Sequence, residues 1–431
     1  MSVTQPLRIT ILGGGIAGLT TALSLTKFAP PDGPPPLITI YEIRPEPATI
    51  GGAVNLTPNA LRLLAHLGAL QEIQAANYGA PCPAVEVFDL YSGTKIAESS
   101  FRGSDGKGLG EPPYMALRIT RGEALKGVLA AIAKHANISL ICGKKTTQID
   151  EADSGVTLTF ADGTTSTSDI LLGCDGIHSV TRLKHVEPSR AATYSGICNA
   201  FGFSRLESHQ TPHFEASAMN FARGGMLLTS FHNAARDSVY VGALMQVPLE
   251  ASLQSRDGWR ARGQDADKTR ADLLLRYGGA RQPAIAEWIA DAQDLFLWPV
   301  FTLSKHGRWA TDRVMLIGDA AHAMPPQGES TGIVFEDGVL FSRVLARWMQ
   351  KSGNGSDGTP VREAFDAFER LRRGRIETAW EESQSVVKTV QEVGWFGHRI
   401  KMNVVPWYLW WTRGYRERHF VEDVTVCDVG Y

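Results

Sequence analysis

The loop at residues 13–18, Gly-Gly-Gly-Ile-Ala-Gly, constrains this chain more than any other stretch. It follows the apolar, β-branched run 7–12 and precedes residues 18–25, in which apolar side chains recur at helical spacing. This order predicts a buried strand, a glycine turn and a helix whose N-terminus faces an anion such as a pyrophosphate. The loop residues that we expect at that anion are Gly13, Gly15, Ile16, Ala17 and Gly18.

An acidic residue follows the second predicted strand. This strand spans residues 37–41, and Glu42 follows it directly. A carboxylate roughly 20 residues beyond the last glycine is placed to accept a hydrogen bond from a ribose hydroxyl. The strand, loop, helix and terminal acid together predict a dinucleotide-binding half of α/β architecture; the alternative is a glycine-rich loop in an ordinary α/β protein.

Length, charge and cysteine content narrow the class of protein. A chain of 431 residues suits two or three interleaved domains, and a net charge of −2 gives no electrostatic case for nucleic-acid binding. Five scattered cysteines without a Cys-x-x-Cys pair favour a reducing compartment and predict no metal site. We find no apolar run long enough to span a bilayer and no leader before the first strand, so we expect a cytoplasmic protein.

Two later strands also end in acidic motifs. The apolar run 170–174 leads into residues 175–182, which include Asp175, and the run 313–317 leads into residues 318–328. The pattern predicts a buried strand at each of these two positions.

The region between these motifs differs from them. Residues 194–302 contain predicted strands rich in aromatic and methionine side chains, which favours an antiparallel sheet with an apolar ligand on one face. An ordinary sheet core is the alternative for each residue. The candidate pocket residues are Phe201, Arg223, Met226, Phe231, Tyr240 and Trp298.

The three motifs in this order resemble the single-component FAD-dependent aromatic monooxygenases of the para-hydroxybenzoate and salicylate hydroxylase type. The resemblance implies a Rossmann-type FAD-binding domain interleaved with an antiparallel substrate domain and followed by C-terminal helices. It places Glu42 at the adenosine ribose and Asp319 at the ribityl chain, and it brings the backbone of Gly318 close to the flavin. The other residues that it implies for the cofactor are Arg121, Asp175, Arg182, Pro326 and Gly328. Gly52 is a further candidate, because paired glycines just past the nucleotide strands let backbone approach a flat ligand.

The chain departs from the family at one edge of the flavin. A glycine and an asparagine are usual after the Pro-Pro-x-Gly stretch, and this sequence has Thr331 and Ile333. Because an isoleucine side chain cannot donate a hydrogen bond, backbone amides, Ser330 or Thr331 must serve that edge. His322 lies inside the last motif, where we interpret it as structural before catalytic.

The resemblance also implies the activity. NAD(P)H would reduce FAD, and O2 would add to flavin C4a as a hydroperoxide that hydroxylates or epoxidises an aromatic or other electron-rich molecule. The residues leave two alternatives open: an FAD-dependent reductase or dehydrogenase of the same fold, and a non-catalytic dinucleotide-binding regulator.

The domain boundaries follow from these motifs. We predict the FAD-binding domain at residues 1–193 and 304–350, the substrate domain at 194–303, and a C-terminal helix with an aromatic tail at 351–431. The tail has Pro406 inside a tryptophan-rich run that is too short to span a bilayer. We interpret it first as packing against the body, and second as a wall of the pocket or an interfacial contact, with peripheral membrane binding the less favoured role.

Overall fold

A parallel sheet of five strands carries the dinucleotide-binding half. The computed structural model describes residues 5–49, 51–326, 328 and 330–430. The strands are β1 (Arg8–Leu12), β2 (Leu37–Tyr41), β8 (Ile138–Ile141), β12 (Ile170–Gly173) and β18 (Val314–Leu316). Their spatial order is β18, β12, β1, β2, β8. They are apolar and largely buried, because helices pack on one face of the sheet, where Ile11 lies beside Gly18, and a small antiparallel sheet packs on the other face, where the Tyr41 ring centroid lies 4.6 Å from that of Phe160.

Helices cover this sheet and pack closely on one another. They are α1 (Ile16–Lys27), α2 (Pro58–His66), α3 (Ala69–Ala75), α4 (Arg121–Ile132), α8 (Asp319–His322) and α9 (Ser330–Ser352). A Cβ on Gly338 of α9 would lie 2.9 Å from the Thr21 hydroxyl of α1, so a glycine is required for these two helices to approach.

A second sheet of seven strands contains the strands of residues 193–302, where the substrate domain is predicted, and two strands from earlier in the chain. The strands are β5 (Ala84–Asp89), β6 (Lys95–Ser100), β13 (Thr193–Arg205), β14 (Ser217–Ala222), β15 (Gly225–Phe231), β16 (Ser238–Gln246) and β17 (Gln293–Thr302). Their spatial order is β17, β13, β16, β15, β14, β5, β6. Sequence reasoning missed β14. The hairpin β5–β6 pairs with β14 and not with the parallel sheet, so the predicted boundary at residue 193 does not separate the two sheets.

Smaller elements fill the space around both sheets. Two three-stranded sheets contain β3 (Ala53–Leu56), β4 (Ala80–Cys82) and β7 (Ala116–Thr120), and β9 (Thr146–Ala152), β10 (Gly155–Phe160) and β11 (Thr165–Ser168). A π-helical turn spans Arg182–Val186 and a 3₁₀ turn spans Ala251–Leu253. One face of the seven-stranded sheet is covered by α5 (Arg256–Gln264), α6 (Ala266–Tyr277) and α7 (Pro283–Asp291).

Two long helices complete the chain. They are α10 (Arg362–Thr389) and α11 (Trp395–Val421), so the predicted aromatic tail is helical throughout. Pro406 lies inside α11, where it removes one backbone hydrogen bond without ending the helix. Met402, Val405 and Leu409 of α11 pack with Phe221 of the seven-stranded sheet, which agrees with the first interpretation of the tail.

Candidate functional site

The sequence motifs meet at one edge of the parallel sheet. The glycine loop follows β1, Glu42 follows β2, Asp175 follows β12 and Gly318 follows β18. These four strands are neighbours and run in parallel, so their carboxyl ends lie side by side. Ligands of open α/β sheets bind in the crevice at this edge, and the topology therefore assembles the site that the motifs predicted.

The glycine loop has one packed side and one open side. A Cβ on Gly13 would collide with the carbonyl of Cys174, and one on Gly18 would collide with the carbonyl of Gly13. A Cβ on Gly15 would meet nothing within 4 Å. Gly15 is also the residue before α1 and supplies no side-chain cap, so the first amides of the helix are left for a ligand.

Glu42 fastens this loop to β2. Its carboxylate accepts hydrogen bonds from the Gly14 amide at 2.8 Å and from the Arg44 amide at 2.9 Å. The side chain is buried, and these two hydrogen bonds compensate the carboxylate for the loss of water, because carboxylates are seldom buried without partners. It therefore holds the loop in shape in addition to the ribose contact that the sequence predicts.

We expect Glu42→Ala to weaken FAD binding by about 10- to 150-fold, because a hydrogen bond to a charged group contributes roughly 1.5–3 kcal/mol. The measurement is the dissociation constant of FAD for the apoprotein by fluorescence quenching. Glu46→Ala is the matched control, since Glu46 is an exposed carboxylate four positions along the chain. Equal affinities in the Glu42→Ala variant and the control would refute the assigned role.

The opposite rim of the site is formed by the last motif. Asp319 is exposed at the start of α8, and Pro326 is half-buried. Gly328 has a φ of 90°, and among the described residues none lies within 4 Å of the position that its Cβ would take. Ile333 is buried, so its side chain does not reach a ligand at this rim. Helix α9 begins at Ser330, and the amides of its first turn are the donors available at the edge where the family asparagine is missing.

Gly52 and Arg121 lie where the two halves of the molecule meet. The Arg121 amide donates to the Gly52 carbonyl, and a Cβ on Gly52 would collide with the ring of Tyr240. The Arg121 side chain is exposed and passes beside Gly51. A cation and a glycine backbone thus border both the predicted cofactor region and the second sheet.

Asp175 and Arg182 lie deeper than the sequence suggested. Burial raises the pKa of Asp175, although its carboxylate accepts from the amide and hydroxyl of Thr181. Arg182 has no exposed surface. It donates to three backbone carbonyls, which belong to Ile177, Arg190 and Ala320. Arg182 was expected to contact the cofactor directly, but its guanidinium is enclosed by protein. We assign it a positioning role, because its hydrogen bonds join the loops that follow β12 and β18.

A buried charge network lies beneath the last motif. Asp337 accepts from His322 Nε2 at 2.7 Å, from the Gly318 amide at 3.2 Å and from Arg372 Nε at 2.6 Å. Arg372 also pairs with Glu336 at 2.9 Å. Burial alone would raise the pKa of Asp337, but His322 and Arg372 outweigh it and hold this pKa below its usual range. His322 is thus a structural partner of Asp337, as interpreted from the sequence.

The register of the seven-stranded sheet decides which candidate pocket residues share a face. Phe201 lies opposite Phe296, and Tyr240 lies opposite Phe203 and Ser230. Because side chains alternate along strands, the residues that share one face include Asn199, Phe201, Met226, Leu228, Tyr240 and Trp298. Ala53 of the dinucleotide-binding half packs against this face, which we call the aromatic face.

Two candidate pocket residues lie elsewhere. Phe231 points to the other face of the sheet and packs against Phe214, with ring centroids 5.4 Å apart. Arg223 lies in the turn between β14 and β15, where its guanidinium is 5.1 Å from the ring centroid of Tyr91. The prediction that both residues line the pocket is therefore wrong. The alternation of side chains along β15 excludes Phe231, and the position of the turn excludes Arg223.

Sequence reasoning missed Arg118. Its guanidinium is buried against the aromatic face, where Nε donates to the Ser230 hydroxyl at 3.0 Å and Cζ lies 4.8 Å from the Tyr240 ring centroid. Within the described part of the chain, the charge partners of Arg118 are Tyr240 and Cys82 and include no carboxylate, and burial lowers its pKa. The available signal was a single cation within the apolar run 115–119.

His232 lies beside this cluster, and its pKa falls to about 4 because of burial and the nearby Arg118 charge. An unfolded histidine has a pKa of about 6.5, so between these values the unfolded chain binds a proton that the folded protein does not. We expect this part of the stability to be complete above pH 6.5 and to be lost toward pH 4. Between pH 7 and 5, His232→Asn should reduce the loss of unfolding free energy by about 2 kcal/mol.

Urea unfolding at a series of pH values measures this effect. His209→Asn is the matched control, because the His209 side chain is largely exposed. If both variants and the parent protein showed the same pH dependence, the assignment to His232 would be wrong.

The residues at the sheet edge fit FAD. The open side of Gly15 and the amides of α1 suit a pyrophosphate, and the Glu42 and Asp319 carboxylates suit the hydroxyls of ribose and ribityl chains. Gly328 leaves room for a flat ring at the rim formed by the last motif. Both ends of a dinucleotide thus have partners of the right chemistry.

Comparisons with known proteins agree with this fit. The sequence model of the FAD binding domain matches residues 7–333. A 3-amino-4-hydroxybenzoate 2-monooxygenase of Streptomyces platensis is 28% identical over 375 residues, covering 86% of this chain and 85% of that enzyme. A salicylate hydroxylase of Pseudomonas putida is 27% identical over 398 residues, with 86% and 83% covered. The fold is shared with HpxO of Klebsiella pneumoniae, solved with FAD and uric acid, at a TM-score of 0.74, 21% identity and 96% and 95% coverage.

Proposed function

This chain belongs to the FAD binding domain family and is an FAD-dependent monooxygenase, and we propose that it uses NAD(P)H and O2 to oxygenate a small anionic aromatic molecule. The observation that carries the substrate class is the aromatic face with the buried cation of Arg118 beside it. Phenyl and tyrosyl side chains suit a planar ring, and a buried guanidinium suits a carboxylate or phenolate.

The position of Arg118 supports an anionic substrate. A buried charge is costly unless an opposite charge compensates it, and the described protein groups around Arg118 supply hydroxyl, amide and ring partners only. A ligand anion would complete the set. Arg118 and Gly52 both contact Tyr240, so an anion at Arg118 would lie near the half of the molecule that holds the cofactor.

One group of residues would hold the cofactor, and a second group would hold the substrate. FAD, when bound, supplies the redox chemistry that takes electrons from NAD(P)H and activates O2. Glu42, Asp319 and the glycine loop hold it at the sheet edge. The aromatic face excludes water from the reacting ring, and the Arg118 guanidinium orients the substrate by its anionic group.

The test is turnover with paired substrates. Purified protein is assayed for NADH and NADPH oxidation, O2 uptake and product mass with hydroxybenzoates and with the same phenols lacking the carboxylate, under ¹⁸O2. We expect product that carries one ¹⁸O atom, and a lower KM for the carboxylated member of each pair.

Other results would select the alternatives. Reduced product formed without O2 uptake would indicate a reductase or dehydrogenase. Bound FAD without turnover of any substrate would favour a dinucleotide-binding regulator. Oxygenation with no preference within the pairs would keep the monooxygenase and refute the anionic substrate class.

A further inference from the structure

The outward side of α11 exposes an unusual set of aromatic residues. Trp410 is 71% exposed and Trp411 is 67% exposed, and the rings of Trp407 and Trp411 stack on each other at 5.6 Å. Large apolar groups clustered on a surface mark interaction sites, whereas scattered ones do not. The exposed apolar residues of this helix are Trp395, Phe396, Ile400, Val404, Trp407, Tyr408, Trp410 and Trp411.

These residues form a continuous stripe. Phe396, Ile400, Val404, Trp407 and Trp411 recur at intervals of three or four, which places them on one side of a helix. Met402, Val405 and Leu409, on the opposite side, already pack against the seven-stranded sheet. The stripe is therefore not needed to attach α11 to the body. We call residues 395–411 on this outward side the aromatic stripe.

We propose that the aromatic stripe docks the protein reversibly on an anionic lipid surface. Helices of this kind lie in the plane of a membrane interface, with tryptophan and phenylalanine inserted at the boundary between headgroups and acyl chains. Tryptophan and tyrosine favour this boundary because each has an apolar body and a polar tip. The proposal does not depend on which substrate the enzyme oxygenates.

The charge of the helix complements such a surface. Of the five arginine or lysine residues between Trp395 and Val421, Lys401 and Arg416 bond the body of the protein and Arg413 pairs with Glu417. Two cations, Arg399 and Arg418, are left to face an anionic surface, in a chain whose net charge is −2. Arg399 and Arg418 are exposed near the two ends of the stripe. The Arg399 guanidinium lies 5.9 Å from the Trp395 ring centroid, so a cation and an exposed tryptophan lie together at the start of α11.

The size of the stripe favours a membrane over a second copy of the chain. From Phe396 to Trp411 a helix rises about 23 Å, and its width of about 10 Å gives roughly 230 Å². A stable protein interface needs about 800 Å² on each partner. Shallow insertion also agrees with the finding that no helix in the described residues is long and apolar enough to cross a bilayer.

The test uses the full-length holoprotein and sized vesicles. Flotation and tryptophan emission are measured with phosphatidylcholine alone and with phosphatidylcholine containing phosphatidylglycerol. We expect binding and a blue shift with the anionic vesicles, and weaker binding to phosphatidylcholine alone. The affinity of the double variant Trp407→Ser/Trp411→Ser for anionic vesicles should fall by about tenfold or more. The affinity of Arg399→Gln should fall by about fivefold.

Leu275→Ser is the control, because Leu275 is also an exposed apolar residue, with 86% of its surface exposed, but it lies on α6, outside the aromatic stripe. FAD content checks that each variant is folded. Vesicle binding that the double variant leaves unchanged would overturn the proposal, as would equal binding to both lipid compositions or no binding. Concentration-dependent dimerisation that is lost in the double variant, without vesicle binding, would identify a second copy as the occupant.

Discussion

Replacing Asp337 with alanine is expected to lower the free energy of unfolding by about 3–5 kcal/mol, the usual cost of removing one partner of a buried ion pair. The change leaves the buried Arg372 guanidinium with one carboxylate in place of two, and leaves His322 and the Gly318 amide without their acceptor. Because Gly318 precedes Asp319, FAD affinity should fall as well. Urea unfolding with saturating FAD measures the first effect, and FAD titration measures the second.

Asp366→Ala is the matched control. Asp366 pairs with Arg362 on the same helix as Arg372, but its carboxylate is 45% exposed, and exposed pairs contribute about 1 kcal/mol or less. If Asp337→Ala fails to fold, Asp337→Asn keeps the side-chain volume and tests the charge alone. A loss in the Asp337→Asn variant no larger than that of the control would show that the network does not stabilise the last motif.

Arg118→Met is expected to raise the KM of a carboxylated substrate by about 10- to 150-fold, through loss of a charge-assisted contact of roughly 1.5–3 kcal/mol. Stability should be unchanged or higher, because the variant replaces a buried cation without a carboxylate partner by an apolar side chain. The combination of weaker substrate binding and undiminished stability distinguishes recognition from a structural role. Steady-state kinetics and thermal unfolding measure the two quantities.

Two controls accompany this prediction. Arg102→Met removes a surface arginine, which pairs with Glu215 at 3.1 Å, and should change neither quantity. Arg118→Lys keeps the charge and should recover part of the affinity. The hypothesis would be abandoned if Arg118→Met raised the KM of the phenol that lacks the carboxylate by the same factor.

Local patterns were enough to predict the dinucleotide-binding half. The strand, the loop 13–18, the first turn of α1 and Glu42 are set by residues close together in the chain, and the structure places them as expected. The motif after β18 was also recognisable, because a buried apolar strand followed by Gly318 and Asp319 has a strong local signature. The family could therefore be predicted from the sequence.

Contacts between distant residues required the tertiary structure. Only strand pairing showed that β5 and β6 join the second sheet, and only the register separated Phe201 and Tyr240 from Phe231. Arg118 had no local motif to mark it.

The sequence by itself predicted a dinucleotide cofactor, because a dinucleotide is held by backbone turns whose glycines and terminal acid are close in the chain. The resemblance of the three motifs to the aromatic monooxygenases implied FAD and its oxygen chemistry. Only the tertiary structure decided that Arg182 positions two loops, that Arg372 pairs with Asp337, and that α11 turns its tryptophans outward. Burial and pairing depend on what other segments place around a residue, and no local pattern contains that information.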